Sequence, residues 1–148
     1  YEGFTQTEFD TFKALELRQL IGLGIRTELE PIKKLSINSG LGVMNDYEQL
    51  KDKSISSNPR VNSYLVVKYF INKDTSSFFS AIFYYQPLLF LYKDFRIKNE
   101  ANLKTFIGKL KSTKLYVISS FTYLYDSRPP EDIVTDDRVF KVSFSLDW

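Results

Sequence analysis

The chain has 148 residues, 43% hydrophobic, 26% charged and 16% aromatic, with Lys+Arg 20 against Asp+Glu 18 and a formal net charge of +2. One domain of this length buries roughly 68–70% of its unfolded surface without staples, and charge this evenly mixed is not the basic footprint of a dedicated nucleic-acid binder. With no cysteine and no histidine, disulfides, thiolate chemistry and the Ser-His-Asp triad are excluded, leaving carboxylate, Lys or Tyr chemistry.

At the start of the chain, Thr5 or Thr7 can cap a helix whose first turn holds Glu8 and Asp10, acids suited to a positive helix end. Leu17, Leu20, Ile21, Ile25, Leu29 and Ile32 follow at helical spacing, so the pattern predicts a helix to about Glu30, broken by Pro31. The stretch INSGLGVMNDYEQLKDKSISSNPR, 37–60, shows no clear period and reads as a polar surface connection. Its GLG is too short for a phosphate-binding fingerprint. NSYLVVKYFIN, 62–72, is rich in β-branched and aromatic residues and reads as a buried strand. SSFFSAIFYYQPLLFLYKDFRIK, 76–98, reads as one strand bent at Pro87, or as two short ones.

Asn99 and Glu100 then open a predicted helix, NEANLKTFIGKLKS, with Leu103, Phe106, Ile107 and Leu110 at i, i+3, i+4 and i+7. KLYVISSFTYLYD, 114–126, reads as a strand, and VFKVSFSLDW alternates strictly. Phe140, Val142, Phe144, Leu146 and Trp148 face one way, Lys141, Ser143, Ser145 and Asp147 the other, the pattern of a strand with one buried and one wet face. The expected architecture is therefore a single α+β domain, order α-β-β(-β)-α-β-β. It is an antiparallel-rich sheet with two helices packed on one face and a long arm between the last two strands.

Chemistry is weakly signalled. Carboxylates pair at Glu28 and Glu30, Asp46 and Glu48, Glu131 and Asp132, and Asp136 and Asp137, without calcium-loop spacing. Asp94, Arg96 and Lys98 share one strand face but lack the acid-x-Lys order of a metal nuclease, so a solvated face is expected. Ser119 and Ser120 lack a nucleophile-elbow context. No enzymatic activity and no cofactor or metal is expected. No window approaches about eighteen uncharged apolar residues, so nothing is expected to span a membrane. YEGFTQTEFD lacks the basic and apolar regions of a secretion signal.

The closing third, with its L..FI.KL stripe, the strand YVISSFTYLYD, a polar excursion and DDRVFKVSFSLDW, resembles the tail terminators of tailed bacteriophages. The resemblance covers 64–148 in order of elements and is specific over 115–148. It implies a non-enzymatic virion protein assembled in the host cytoplasm: a subunit of a homo-hexameric ring that caps the tail tube and meets the head-completion or connector protein, and in contractile tails the sheath. DNA would pass through the lumen without specific recognition. Ring closure needs heterologous contacts, and the segment between the last strands would supply them. Arg128, Pro129, Pro130, Glu131, Asp132, Ile133, Val134, Asp136, Asp137 and Arg138 form the expected docking arm, with Ile133 and Val134 as its apolar contact. The alternative is a DNA-recognition module of a restriction-type system, with Tyr84, Tyr85 and Tyr92 lining an aromatic pocket beside Lys104, Lys109, Lys111 and Lys114.

Overall fold

A computed structural model describes residues 1–10, 15–72, 76–129 and 134–147. Every regular element among them is a strand: β1 (Glu2–Asp10), β2 (Leu15–Ile32), β3 (Leu35–Leu50), β4 (Ile55–Phe70), β5 (Phe78–Leu88), β6 (Leu91–Leu110), β7 (Thr113–Asp126) and β8 (Asp136–Asp147). They form one antiparallel meander in chain order, curled into a half-barrel, and β1 and β8 do not meet. The expected α+β fold with two helices is thus wrong.

Each misreading has a physical origin. The first predicted helix lies in β1 and β2. There Leu20 points inward and is 6% exposed, while Ile21, Leu23 and Ile25 point outward and are 56–70% exposed. The apparent helical stripe mixes these two faces, and Gly22 and Gly24 within it disfavour a helix by about 1 kcal/mol each. The second lies in β6, where a register shift between Phe106 and Gly108 displaces the alternation by one residue and imitates i, i+3, i+4 spacing. The expected surface connection 37–60 is mostly β3 and the start of β4, with a turn at Lys51–Ser54.

The strands expected within 62–72, 76–98, 114–126 and 139–148 fall in β4, β5 with β6, β7 and β8, Trp148 lying outside the described residues. The break in the second comes at a tight turn, Leu89-Phe90, after Pro87. The alternation of β8 holds. Its sense is reversed, because Phe140 and Phe144, expected to be buried, are 67% and 73% exposed.

Direct cross-strand partners share a face, so the register assigns every side chain. Glu2, Gly24, Gly42, Asn62, Gln86, Arg96 and Asp126 form one row on the concave side, the step from Asn62 to Gln86 being made by their side-chain hydrogen bond. Leu29, Ile37, Val67, Ala81, Ala101, Phe121 and Phe140 form one row on the convex side.

At β2 and β3 the backbone and a neighbouring ring come too close for side chains, and glycine occupies those positions. Gly24 and Gly42 pair directly, and a Cβ on Gly24 would come within 2.9 Å of the Leu41 carbonyl oxygen. Gly40 sits under the Tyr64 ring, which a Cβ there would strike. That clearance lets Tyr64 on β4 reach over β3 and β2 and donate a 2.7 Å hydrogen bond to Glu2 on β1. Gly40→Ala is therefore expected to lower unfolding free energy by about 1–3 kcal/mol. Gly108→Ala, with nothing within 4 Å of the added atom, should change it by less than about 0.5 kcal/mol. Urea titration of both variants checks the pair.

Candidate functional site

The concave face carries a network of ion pairs built from five strands, with a sixth at its margin. Asp46 on β3 is 1% exposed. Arg18 on β2 grips it with a fork, Nε to Oδ1 and Nη2 to Oδ2, both at 2.9 Å. Arg96 on β6 crosses the hollow and donates from Nη1 to Asp46 Oδ2 at 2.7 Å. It also holds Glu48 by two bonds, Nη1 to Oε1 at 2.7 Å and Nη2 to Oε2 at 3.0 Å. Its Nε donates to Asp126 on the neighbouring β7 at 2.7 Å. Arg60 on β4, 3% exposed, donates to Asp94 at 3.0 Å and to the Gln86 carbonyl at 3.1 Å. Its Nε lies 3.3 Å from Asp46 Oδ2 without the alignment of a hydrogen bond. Glu8 on β1 stands 3.6 Å from Arg18 at the margin.

Burial alone would push the Asp46 carboxyl up. The Arg18 hydrogen bonds and the charges of Arg18, Arg96 and Arg60 more than offset that, so its pKa falls below the ordinary 3.8. Burial likewise opposes the charge on Arg96, but Glu48, Asp126 and Asp46 raise its pKa above the usual arginine value. Further along the concave face burial and the Glu2 carboxylate push the Tyr64 phenol up to about 12, and burial with Glu100 raises Tyr84. The two rings stand 5.7 Å apart at 47°. A cleft of about 1260 Å³ runs along this face, with Arg18, Glu48 and Arg96 in its wall at one end and Asn38, Tyr64 and Tyr84 further along. Among the described residues no group of His, Cys, Asp or Glu is arranged to hold a metal ion.

The residues singled out from the sequence are dispersed. Arg128 is exposed and its backbone N–H bonds Asp126 at 2.9 Å. Pro129 and Val134 line the cleft. Pro130, Glu131, Asp132 and Ile133 lie outside the described residues. Asp136, Asp137 and Arg138 belong to β8, where they pair with Tyr125, Leu124 and Tyr123, so the expected arm is shorter than its drawn length. Arg138 lies 5.7 Å from the Tyr123 ring and 2.9 Å from Asp136.

Tyr84 faces the hollow and its neighbour Tyr85 the convex side, so the tyrosines of the DNA-pocket reading do not converge. Their partner lysines lie on no helix: Lys104 and Lys109 are on β6, Lys111 in the turn after it and Lys114 on β7, with Lys104 3.9 Å from the Tyr116 ring. Arg18 and Arg60 received no notice as site residues. The usable signal was charge at every second residue, as in Asp46 with Glu48 and in Asp94, Arg96 and Lys98, recurring on segments that are otherwise strands.

The convex face is the inverse. Counted by register, the outward positions of β2 over 17–29, β3 over 35–49, β4 over 55–69, β5 over 79–87, β6 over 95–105, β7 over 115–125 and β8 over 140–146 carry no charged residue. Leu41, Val43, Leu65, Phe83 and Phe121 are 42–55% exposed there. Fold and faces together define a half-barrel wall whose concave side carries the ion pairs together with the buried Leu20, Met44 and Tyr116, and whose convex side is apolar and uncharged over these ranges. The family described as "Protein of unknown function, DUF481" matches residues 1–148, and the chain belongs to it. No curated protein and no solved structure matches the chain.

Arg96→Met leaves Asp46, Glu48 and Asp126 facing one another without their shared cation. It is expected to destabilise the fold by about 3–5 kcal/mol in urea unfolding. The depressed Asp46 pKa makes a pH prediction: the stability it contributes is complete above the unfolded value of 3.8 and drains away as pH falls through the lower folded value. Asp46→Asn should flatten that acid limb of the stability–pH curve, measured by urea midpoints from neutral pH downward.

Proposed function

We propose that this chain forms wall of a membrane-spanning β-barrel of the outer-membrane type, its convex face against acyl chains and its concave face against water. The observation that carries the reading is the absence of charge from the outward positions over those ranges, the outward charges of β8, Asp136 and Arg138, lying at its first, turnward end, while the inward positions hold Arg18, Asp46, Glu48, Arg60, Arg96 and Asp126. Apolar-out and polar-in at period two is the arrangement lipid demands of strands, and the reverse of a water-soluble sheet core.

Length agrees. A tilted strand needs about 9–11 residues to cross the hydrocarbon layer, and the strands here run from 9 residues in β1 to 20 in β6. No described helix is long and apolar enough to cross, a statement that does not bear on strands. The expectation that nothing spans a membrane rested on the helix criterion and misses this route. In a bilayer the free edges of β1 and β8 must each find a partner strand, because unpaired backbone groups in hydrocarbon cost several kcal/mol each.

The tail-terminator reading, with its hexameric ring, remains a separate proposal with less behind it. The helix-and-strand order from which it was drawn is not the order of this chain.

Refolding into phospholipid vesicles, followed by alkaline carbonate washing, tests the proposal. The wild-type chain is expected to stay with the vesicles. Leu65→Arg or Leu41→Arg on the convex face should cost about 2–4 kcal/mol of insertion free energy near the midplane. A wild-type chain washed free of the lipid and monodisperse without detergent would overturn the reading.

A further inference from the structure

We infer that the concave cleft is a binding site for a neutral polyhydroxylated ligand, a short stretch of oligosaccharide, held by amides and tyrosines from β3, β4 and β5. The inference deepens the proposed reading and rests on it only in taking the concave face to be wet. At about 1260 Å³ the cleft exceeds the range of about 300–1,000 Å³ typical of drug-sized ligands, which suits an extended occupant.

Its lining selects the chemistry. Asn38 is 9% exposed, lines the cleft, and its Oδ1 is buried without a hydrogen-bond partner. A buried acceptor left unpaired is costly, and a ligand hydroxyl is the donor it lacks. Asn62, 5% exposed, accepts through Oδ1 from Gln86 Nε2 at 2.9 Å, which orders both amides side by side. Tyr64 is fixed by its bond to Glu2, and the Tyr84 ring is tilted against it.

Amides that donate and accept at neighbouring points match vicinal hydroxyls, each of which does both. Tyrosine rings give the C–H face of a sugar ring an apolar surface beside a polar tip. The charges do not select an ion: the lining holds both signs, Glu2, Glu48 and Asp126 among the acids and Arg18, Arg26 and Lys98 among the bases. A fatty chain would leave the amides unpaired, so the chemistry points away from a lipid occupant.

The test is isothermal titration of the full chain in detergent micelles with neutral hexasaccharides of glucose, mannose and N-acetylglucosamine, and with a sulfated glucose hexasaccharide. At least one neutral saccharide is expected to bind, and to bind more tightly than the sulfated one. Asn38→Leu should weaken it about tenfold or more. Tyr84→Phe removes only a hydroxyl that holds no hydrogen bond among the described residues, so it should leave the fold intact and weaken binding about twofold to tenfold.

Absence of binding by all three neutral saccharides overturns the inference, as does tighter binding of the sulfated one, or affinity unmoved by both substitutions. The two proposals fail separately. A chain that inserts into vesicles but binds no neutral saccharide refutes only the ligand, whereas one that binds it yet washes free of lipid refutes only the membrane.

Discussion

Asp46 can lie buried on the concave face because Arg18, Arg60 and Arg96 meet it there, and that meeting decides which side of each strand turns inward. A strand has two faces and a period of two, so a slip by one residue would carry Arg18, Asp46 and Arg60 together to the convex side. The network fixes five strands at once: Arg18 on β2, Asp46 and Glu48 on β3, Arg60 on β4, Arg96 on β6 and its partner Asp126 on β7. Buried ion pairs are poor sources of net stability, since desolvation offsets most of the attraction. Their contribution here is register. With the charges committed inward, Ile21, Leu41, Leu65, Phe83 and Phe121 are committed outward, and a surface so apolar and so free of charge has a low-energy place in hydrocarbon.

Curvature is the second requirement, because Arg96 must reach β3 from β6. The paired glycines of β2 and β3 permit the sheet to fold on itself, and Tyr64 lying over Gly40 takes up the space that opens. The same bend brings Glu2 of β1 to Tyr64 of β4. Glycine placement and ion pairing are thus parts of one design, the first making the hollow and the second fastening it. The fastening leaves a cleft in which Asn38 and Asn62 are turned toward space rather than into a dry core.

Much of the C-terminal half was legible because alternation or strand-type composition marks it. β8 shows period two from Phe140 to Asp147, β7 is rich in β-branched and aromatic residues, and turn residues precede both. The N-terminal half was opaque for one reason applied repeatedly, the assumption that the apolar side of an element faces a core. In β3 between 38 and 48 the inward positions are Asn38, Gly40, Gly42, Asp46 and Glu48 around a single Met44, which resembles a surface connection only if polarity means exposure to bulk solvent. The repeated Gly-Leu-Gly at 22–24 and 40–42, eighteen residues apart, held the hairpin in plain view. Arg96 was placed correctly on one face with Asp94 and Lys98. The face is not the solvated one expected, because its partners Asp46 and Glu48 stand three strands away on β3, and no local spacing shows them.

The central claim is that odd and even positions of one strand look into different solvents. A nitroxide scan of β3 over 36–46, placed one site at a time on this cysteine-free chain in lipid vesicles, measures that directly. The account predicts strict alternation: odd positions, with Ile37, Leu41 and Val43 among them, open to dissolved oxygen and closed to a water-soluble nickel complex, and even positions the reverse. Accessibility that fails to alternate, or odd positions as open to the nickel complex as the even ones, would contradict it.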